Sequence, residues 1–200
     1  MRPTFALLAL VLFSATAAIA QQNELGMTFG GLFSISPEGT STCEAILICP
    51  QSGTVDIPPT FAFSPNFAHR VADFKAAAIW IELPLLGSPA RSPNSVIFNR
   101  DFWSLFVTPS LRVQFAHSAP ISPFLSAGGG FAYFSGLGSD TRWATQFGGG
   151  LDFKTHLPHV GFRVEVRDFI TGKPSIGNLF NVTAGHLQQV YTGGGVVFKF

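Results

Sequence analysis

The sequence predicts an all-β protein, an eight-stranded antiparallel barrel in which each strand follows its neighbour up and down the wall. Eight segments between residues 25 and 200 alternate apolar and polar side chains with a period of two. The connections between them alternate between long and short, which is typical of up-and-down barrels. Charged residues make up only 12% of the chain and aromatic residues 14%, against a usual charged share of about 25%. This composition indicates a protein whose outer wall does not face water.

The first 20 residues predict a cleaved secretory signal. Arg2 precedes an apolar run over 5–13, and small residues at 18–20 form an A-x-A cleavage site. The apolar run is too short to span a bilayer, and no stop-transfer pattern follows it, which disfavours an uncleaved anchor. We therefore expect a signal peptide over 1–20 and one barrel domain over 21–200. The 11 acidic residues nearly balance the 12 basic ones, so no basic patch suggests a nucleic-acid partner.

The first strand is predicted at 25–34, where apolar residues alternate with small and polar ones. The connection after it, 37–59, is rich in Gly, Ser, Thr and Pro and contains Cys43 and Cys49. Two close cysteines in an exported chain predict a disulfide that closes this loop. Metal binding is disfavoured because the segment contains no His.

Seven further strands follow from the same alternation. They are predicted at 61–72, 79–86, 105–115, 123–134, 146–154, 162–167 and 190–200. Because Pro109 cannot donate to a sheet ladder, we expect a bulge or gap near it. The connections at 73–75, 117–120 and around Pro158 are short, whereas those at 37–59, 90–101 and 171–188 are long and that at 135–142 is of medium length. We expect this asymmetry to separate the two ends of the barrel.

The polar face carries few charges, which suits a crowded lumen better than a wetted surface. These charges are Glu82, Arg112, Asp152, Lys154, Arg163, Glu165, Arg167 and Lys199. An Arg facing lipid at the bilayer midplane costs about 2–4 kcal/mol, so in a membrane barrel these side chains point inward. Both signs are present and could pair across strands. We predict a closed, polar interior without a wide pore. Trp80 falls on this polar face, so either it fills the lumen or the register of its strand differs.

The last strand resembles the C-terminal assembly signal of bacterial outer-membrane β-barrels, through Phe200, Phe198 and Gly195; the usual polar residue two before that Gly is replaced by Gly193. With its signal sequence, its strand rhythm and its Gly triplets, the whole chain from about residue 22 resembles the small eight-stranded outer-membrane barrels of the OmpA and OmpX type. The resemblance implies a monomer in outer-membrane lipid, inserted by the barrel assembly machinery. It also implies periplasmic termini and turns, and long extracellular loops.

The sequence favours a structural, adhesive or loop-mediated binding role over an enzymatic one. Binding would depend on the loops 37–60, 90–102 and 171–188, and their ligand is unknown. Three His arrangements are candidate chemical sites: His117 beside Ser118, His186 with Ser139 or Asp140, and His156 with His159. None has the spacing of a nucleophile and base or of a metal site, so we expect no enzyme, no cofactor and no metal. Two alternatives stay open: a secreted, lipocalin-like barrel that carries an apolar ligand, and a narrow channel for small solutes.

Overall fold

The computed structural model describes residues 22–35, 40–42, 57–91, 102–135, 140–172, 181–183 and 186–200. The predicted signal peptide over 1–20 and the predicted disulfide between Cys43 and Cys49 lie outside the described residues. None of the described residues form a helix that is long and apolar enough to cross a membrane.

The described residues form eleven strands. They are β1 (Asn23–Ile35), β2 (Thr40–Thr42), β3 (Thr60–Asp73), β4 (Ala77–Arg91), β5 (Phe102–Val107), β6 (Ser110–Phe115), β7 (Ile121–Ser135), β8 (Asp140–Lys154), β9 (Val160–Thr171), β10 (Asn181–Thr183) and β11 (Leu187–Lys199). Nine of them form one closed sheet, in which β3 pairs with β1 and with β4, β1 pairs with β11, and β11, β9, β8 and β7 follow in order. Every pairing is antiparallel.

The strands β5 and β6 are two parts of one barrel strand, because both pair with β4 on one side and with β7 on the other. The break between them falls at Thr108 and Pro109, where a ladder donor is missing because proline has no N–H. The backbone still bridges the gap, since the Gly129 N–H donates to the Pro109 carbonyl at 3.1 Å. The prediction of an eight-stranded antiparallel barrel with a gap near Pro109 is therefore confirmed.

Two predicted connections are shorter than expected. The connection predicted at 90–101 is shorter because β4 continues to Arg91, past its predicted end near Gly87. The connection predicted at 135–142 is only 136–139, because β7 ends at Ser135 and β8 begins at Asp140. Polar residues at these positions suggested a loop, but strand ends that extend beyond an apolar band can carry polar groups on both faces. The short strands β2 and β10 pair with each other within segments predicted to be loops.

The two ends of the barrel differ in their connections. The short turns 74–76, 116–120 and 155–159 lie at one end together with the carboxyl terminus, where Asn23 and Phe200 exchange two backbone hydrogen bonds. We call this the turn end. The longer connections lie at the opposite end, which we call the loop end. Along each strand, large apolar side chains face outward, as in β1, where Leu25 and Phe29 are both 50% exposed while Thr28 between them is buried.

Candidate functional site: the barrel lumen

The lumen collects most of the charged residues that the alternation predicted to point inward. Glu82 lies on β4, Arg112 on β6, Asp152 on β8, and Arg163, Glu165 and Arg167 on β9. Each of these six residues is at most 5% exposed. They meet because inward-facing positions of a strand recur every second residue and neighbouring strands bring them to similar heights.

The first cluster of charges lies toward the turn end and is built around Arg163. Its guanidinium donates to Asp152 at 2.7 Å and 2.9 Å, and to Glu24 at 2.7 Å. Arg112 donates to the same Glu24 oxygen, also at 2.7 Å. The amide of Gln114 donates to Asp152 at 2.9 Å. Two arginines and two carboxylates from four different strands are thus linked through Glu24, which accepts from both arginines, and this ties opposite sides of the wall together.

The second cluster lies nearer the middle of the lumen and is built around Arg167. This guanidinium contacts Glu165 at 2.9 Å and Glu82 at 2.9 Å. Glu82 also accepts from Asn66 at 3.1 Å and from Ser110 at 3.0 Å. A weaker contact of 3.7 Å between Arg112 and Glu82 joins the two clusters. Arg167, Glu165 and Glu82 each make several hydrogen bonds and are well satisfied despite burial. In the first cluster, by contrast, Arg112 Nε and Nη2, Arg163 Nη1 and Glu24 Oε2 have no hydrogen-bond partner among the described residues.

Aromatic rings complete the environment of the guanidinium groups. The Arg112 guanidinium carbon lies 4.8 Å from the centre of the Trp80 ring and 5.5 Å from that of Phe124, and the Arg163 carbon lies 4.8 Å from Phe124. These distances are within the range of cation–π attraction. Trp80 is 2% exposed. It therefore fills the lumen, and no change in the register of its strand is needed to explain its place on the polar face.

The alternation found six of the charged lumenal residues but missed Glu24 and misplaced Lys154. Glu24 is fully buried and shares the inward face of β1 with Gly26 and Thr28, so extending the first predicted strand by one residue would have found it. Lys154 differs from the prediction because it is exposed at the end of β8, where the lumen opens to the turn end. The nearest lysine to the buried clusters is instead Lys199, whose ammonium lies 4.0 Å from Glu24.

The loop-end half of the lumen is built around an apolar cluster, contrary to the prediction of a polar interior, although buried polar side chains such as Ser88, Ser104 and Gln189 lie at the same end. The rings of Phe106 and Phe169 lie 4.9 Å apart, and those of Phe106 and Phe134 lie 5.9 Å apart in an edge-on arrangement. Other members of this apolar cluster are Leu32, Ile57, Ala62, Leu86, Ala132, Ala144, Leu187 and Tyr191. Those of them that lie on strands share the inward face with the charged residues. Alternation assigned them to that face but did not show that it changes from polar to apolar along the barrel axis.

The proposed assembly signal lies on both faces of β11. Phe198 and Phe200 are 47% and 50% exposed on the outer wall, whereas Gly195 lies inward between Val197 and Gly193. Gly193 has a structural reason to lack a side chain, because a Cβ there would overlap the ring and hydroxyl of Tyr191. The Tyr191 hydroxyl reaches past this glycine to donate to Thr28 at 2.9 Å. Recognition of these residues by the assembly machinery stays a prediction.

The histidines weighed as chemical sites lie away from the buried charges. His117 Nε2 lies 3.2 Å from Asp73 at the turn end, and His159 Nδ1 lies 3.0 Å from the Lys199 carbonyl oxygen. His186 is exposed at the loop end, and Ser139, one of its considered partners, lies outside the described residues. Within the described ranges, no group of three His, Cys, Asp or Glu side chains is placed to hold a metal ion.

The fold matches solved structures although the sequence gives little likeness. No protein-family model matches the chain, and no curated protein matches it. The crystal structure of Neisserial surface protein A is 14% identical over 89% of this chain and 97% of that chain, with a TM-score of 0.55. The outer membrane protein OprG from Pseudomonas aeruginosa is 12% identical over 90% of this chain and 96% of that chain, with a TM-score of 0.57.

These likenesses define the class of the protein by its fold. The chain is a small, closed, eight-stranded antiparallel β-barrel of the outer-membrane type. The resemblance drawn from the terminal strand and the strand rhythm is therefore confirmed at the level of the fold. A shared fold does not determine a shared activity.

Proposed function

We propose that the protein is an integral outer-membrane barrel with a structural or loop-mediated binding role, without enzymatic activity and without a wide pore. One observation carries the proposal: the polarity of the barrel is inverted relative to a water-soluble protein. Arg112, Arg163 and Arg167 are at most 1% exposed inside, while large apolar side chains such as Leu125 and Phe147 are more than half exposed outside. This inversion suits a wall surrounded by lipid.

The secreted, lipocalin-like alternative does not suit this distribution. A lipocalin-like barrel carries its apolar face inward around a ligand and its charges outward. Here a continuous band of exposed apolar side chains covers the outer wall, far larger than the patches of a few hundred Å² that soluble monomers tolerate. Members of this band from around the wall include Met27, Phe63, Leu83, Leu111, Leu151, Phe162 and Val164.

Aromatic residues at the loop end support a membrane position for the band. Trp103 and Trp143 are 39% and 55% exposed on the outer wall, and the ring of Trp103 lies 5.3 Å from that of Tyr133. Amphipathic aromatic rings concentrate at membrane interfaces. Their height near the loop end agrees with an outer-leaflet boundary there, which leaves the long loops on the extracellular side.

A closed lumen supports a binding role over the small-solute channel. The charged clusters fill the turn-end half with ion pairs between 2.7 Å and 2.9 Å, and mainly apolar side chains fill the loop-end half. An eight-stranded barrel leaves an interior that side chains largely fill. The loops 37–60, 90–102 and 171–188 are then the surfaces on which an extracellular ligand would bind.

Heat-modifiability tests this proposal. Cells expressing the full-length protein are fractionated, and outer-membrane extracts in mild detergent are run on a gel with and without boiling. We expect the unboiled protein to resist the detergent and to migrate differently from the boiled one. Removal of Phe200 should lower the amount of this folded form. A chain recovered in buffer without detergent would contradict the proposal and favour the soluble barrel.

A further inference from the structure

We propose that the turn end of the lumen is a binding site for a phosphate group. A cavity of about 300 Å³ opens there, next to the buried charges but separate from the extracellular loops. Its lining includes Arg70, Trp80, Gln114, His117, Lys154 and Lys199. The site is thus built from five strands at the turn end of the barrel and from the turns 116–120 and 155–159, all within the described part of the chain.

The charge of this lining is positive. Arg70 is held by Asp73 at 2.8 Å, and Lys199 lies 4.0 Å from Glu24. Lys154 is exposed at the mouth, and the ion pairs found among the described residues include Lys199 but not Lys154. Lysine ammonium groups bind phosphate as compact point charges. An anion at the mouth would therefore meet Lys154, which forms no ion pair within the described residues, and Lys199, whose contact with Glu24 is long. The carboxylate that lines the adjoining cavity beside these lysines, Asp152, is itself paired with Arg163.

Trp80 and Gln114 line the cavity and are at most 2% exposed. The Trp80 indole N–H has no hydrogen-bond partner among the described residues and is a donor that suits an anion, whereas the unpartnered Gln114 amide oxygen is an acceptor that suits water. Buried polar atoms in native proteins are nearly always hydrogen-bonded to protein, water or ligand. Because one water takes up about 30 Å³ in the liquid, the cavity holds on the order of ten waters, enough room for a phosphate and part of its hydration shell.

The surroundings allow two sources of the phosphate. A second cavity of about 250 Å³ shares Lys154, Lys199 and His159 with the first, and its lining includes Leu157 and Phe162. These two apolar side chains are 62% and 54% exposed. A phospholipid headgroup would place its phosphate by the lysines and its chains along the apolar wall, whereas inorganic phosphate would use the lysines alone. Both present the same chemistry to the site.

Trp80 makes the site observable by fluorescence. The chain has three tryptophans, so the double variant Trp103→Phe/Trp143→Phe leaves Trp80 as the only reporter, on the deep side of the cavity. The full-length protein carrying both changes is refolded into micelles of a maltoside detergent, which contains no phosphate, and titrated with inorganic phosphate, while sodium chloride keeps the ionic strength constant. We expect a saturable change in Trp80 emission. A parallel titration with short-chain phosphatidylglycerol, without inorganic phosphate, tests the headgroup as the source.

Two charge-neutralising variants decide the outcome. Lys154→Gln should weaken the apparent affinity by about tenfold, the loss expected for one charge-assisted hydrogen bond. Lys75→Gln removes the same charge from an exposed turn at the same end and should leave the titration unchanged. A response to inorganic phosphate supports a free anion as the ligand, and a response to phosphatidylglycerol alone supports a headgroup. No response to either, or an equal response in Lys154→Gln and Lys75→Gln, would overturn the proposal.

Discussion

The two halves of the lumen are filled in opposite ways. In the turn-end half, three arginines and four carboxylates form ion pairs at distances of 2.7 Å to 2.9 Å, and the rings of Trp80 and Phe124 lie beside them. In the loop-end half, Phe106, Phe134 and Phe169 pack against aliphatic side chains. Both halves exclude a wide channel. Only in the turn-end half does the stability of each buried charge depend on the presence of its ion-pair partner.

This difference has an energetic meaning. A buried ion that loses its partner retains the full cost of desolvation, whereas an apolar side chain that shrinks loses only its transfer energy and leaves a cavity. The charged half therefore requires particular residues on particular strands, which gives the barrel a unique register. The apolar half requires only suitable volume. The variants below test this contrast, in order of the expected effect.

The largest effect is expected from Arg163→Met. The substitution keeps an unbranched side chain of moderate length but removes the two hydrogen bonds that Asp152 accepts from Arg163 and the one that Glu24 accepts. Only Gln114 then donates to Asp152 and only Arg112 to Glu24. Breaking a buried pair in this way costs about 3–5 kcal/mol, so the free energy of unfolding should fall by that amount in urea titrations of the protein in detergent micelles. A loss below about 1 kcal/mol would mean that water, rather than Arg163, satisfies these carboxylates.

The same variant permits a test of coupling. Adding Asp152→Asn to Arg163→Met removes the carboxylate that lost its partner, so the double variant should be more stable than the sum of the two single losses implies. A coupling of about 1–3 kcal/mol is typical of residues in one network. Additive losses would show that the contacts of 2.7 Å and 2.9 Å between these two residues contribute no measurable interaction energy.

A smaller effect is expected from Phe169→Leu in the apolar half. Phe169 is fully buried, yet an apolar replacement of similar shape leaves no polar group unsatisfied. Such exchanges usually cost less than about 1.5 kcal/mol. Phe169→Ala, measured in the same urea titration, should cost about 3–5 kcal/mol and shows that the position is packed. Equal losses for the Leu and Ala variants would contradict tolerance based on volume.

The smallest effect is expected at the mouth of the turn end. The ion pair between Arg70 and Asp73 is partly exposed, with 23% and 44% of the two side chains accessible. Exposed pairs usually contribute about 0–1 kcal/mol, so Arg70→Ala should change the free energy of unfolding by no more than this. A loss as large as that of Arg163→Met would show that the charged network extends to the rim of the barrel.

The sequence allowed the barrel and most of its lumenal charges to be predicted for a simple reason. The two-residue alternation of side chains assigns each residue of a strand to one face of the sheet. Because the polar face carries few charged residues, the sequence indicates that the apolar face meets lipid. Glu24 was missed because it lies at a strand end, where alternation has only just begun. Lys154 was misplaced because the alternation of side chains shows which face of the strand a residue lies on but not its position along the barrel axis. Alternation therefore cannot distinguish a residue inside the lumen from one at its mouth.

The contrast between the two halves could not be predicted because it depends on register. Phe106 and Arg112 share a face on one interrupted strand, and only pairing with the neighbouring strands shows that Phe106 lies near Phe169 while Arg112 lies near Glu24. Gly193 illustrates the same limit. Its place in a Gly triplet is visible in the sequence, but the overlap with Tyr191 that any side chain would cause is visible only in three dimensions.

The central claim is that both halves together close the lumen, and single-channel recording in a planar bilayer tests it most directly. The full-length protein, refolded in detergent and added to the bilayer, should insert without producing steady current steps, and Arg163→Met should serve as the variant with a weakened charged half. Silent wild-type protein is the result expected of a closed barrel. A stable wild-type conductance that changes in Arg163→Met would contradict the account and show that ions pass along the charged residues.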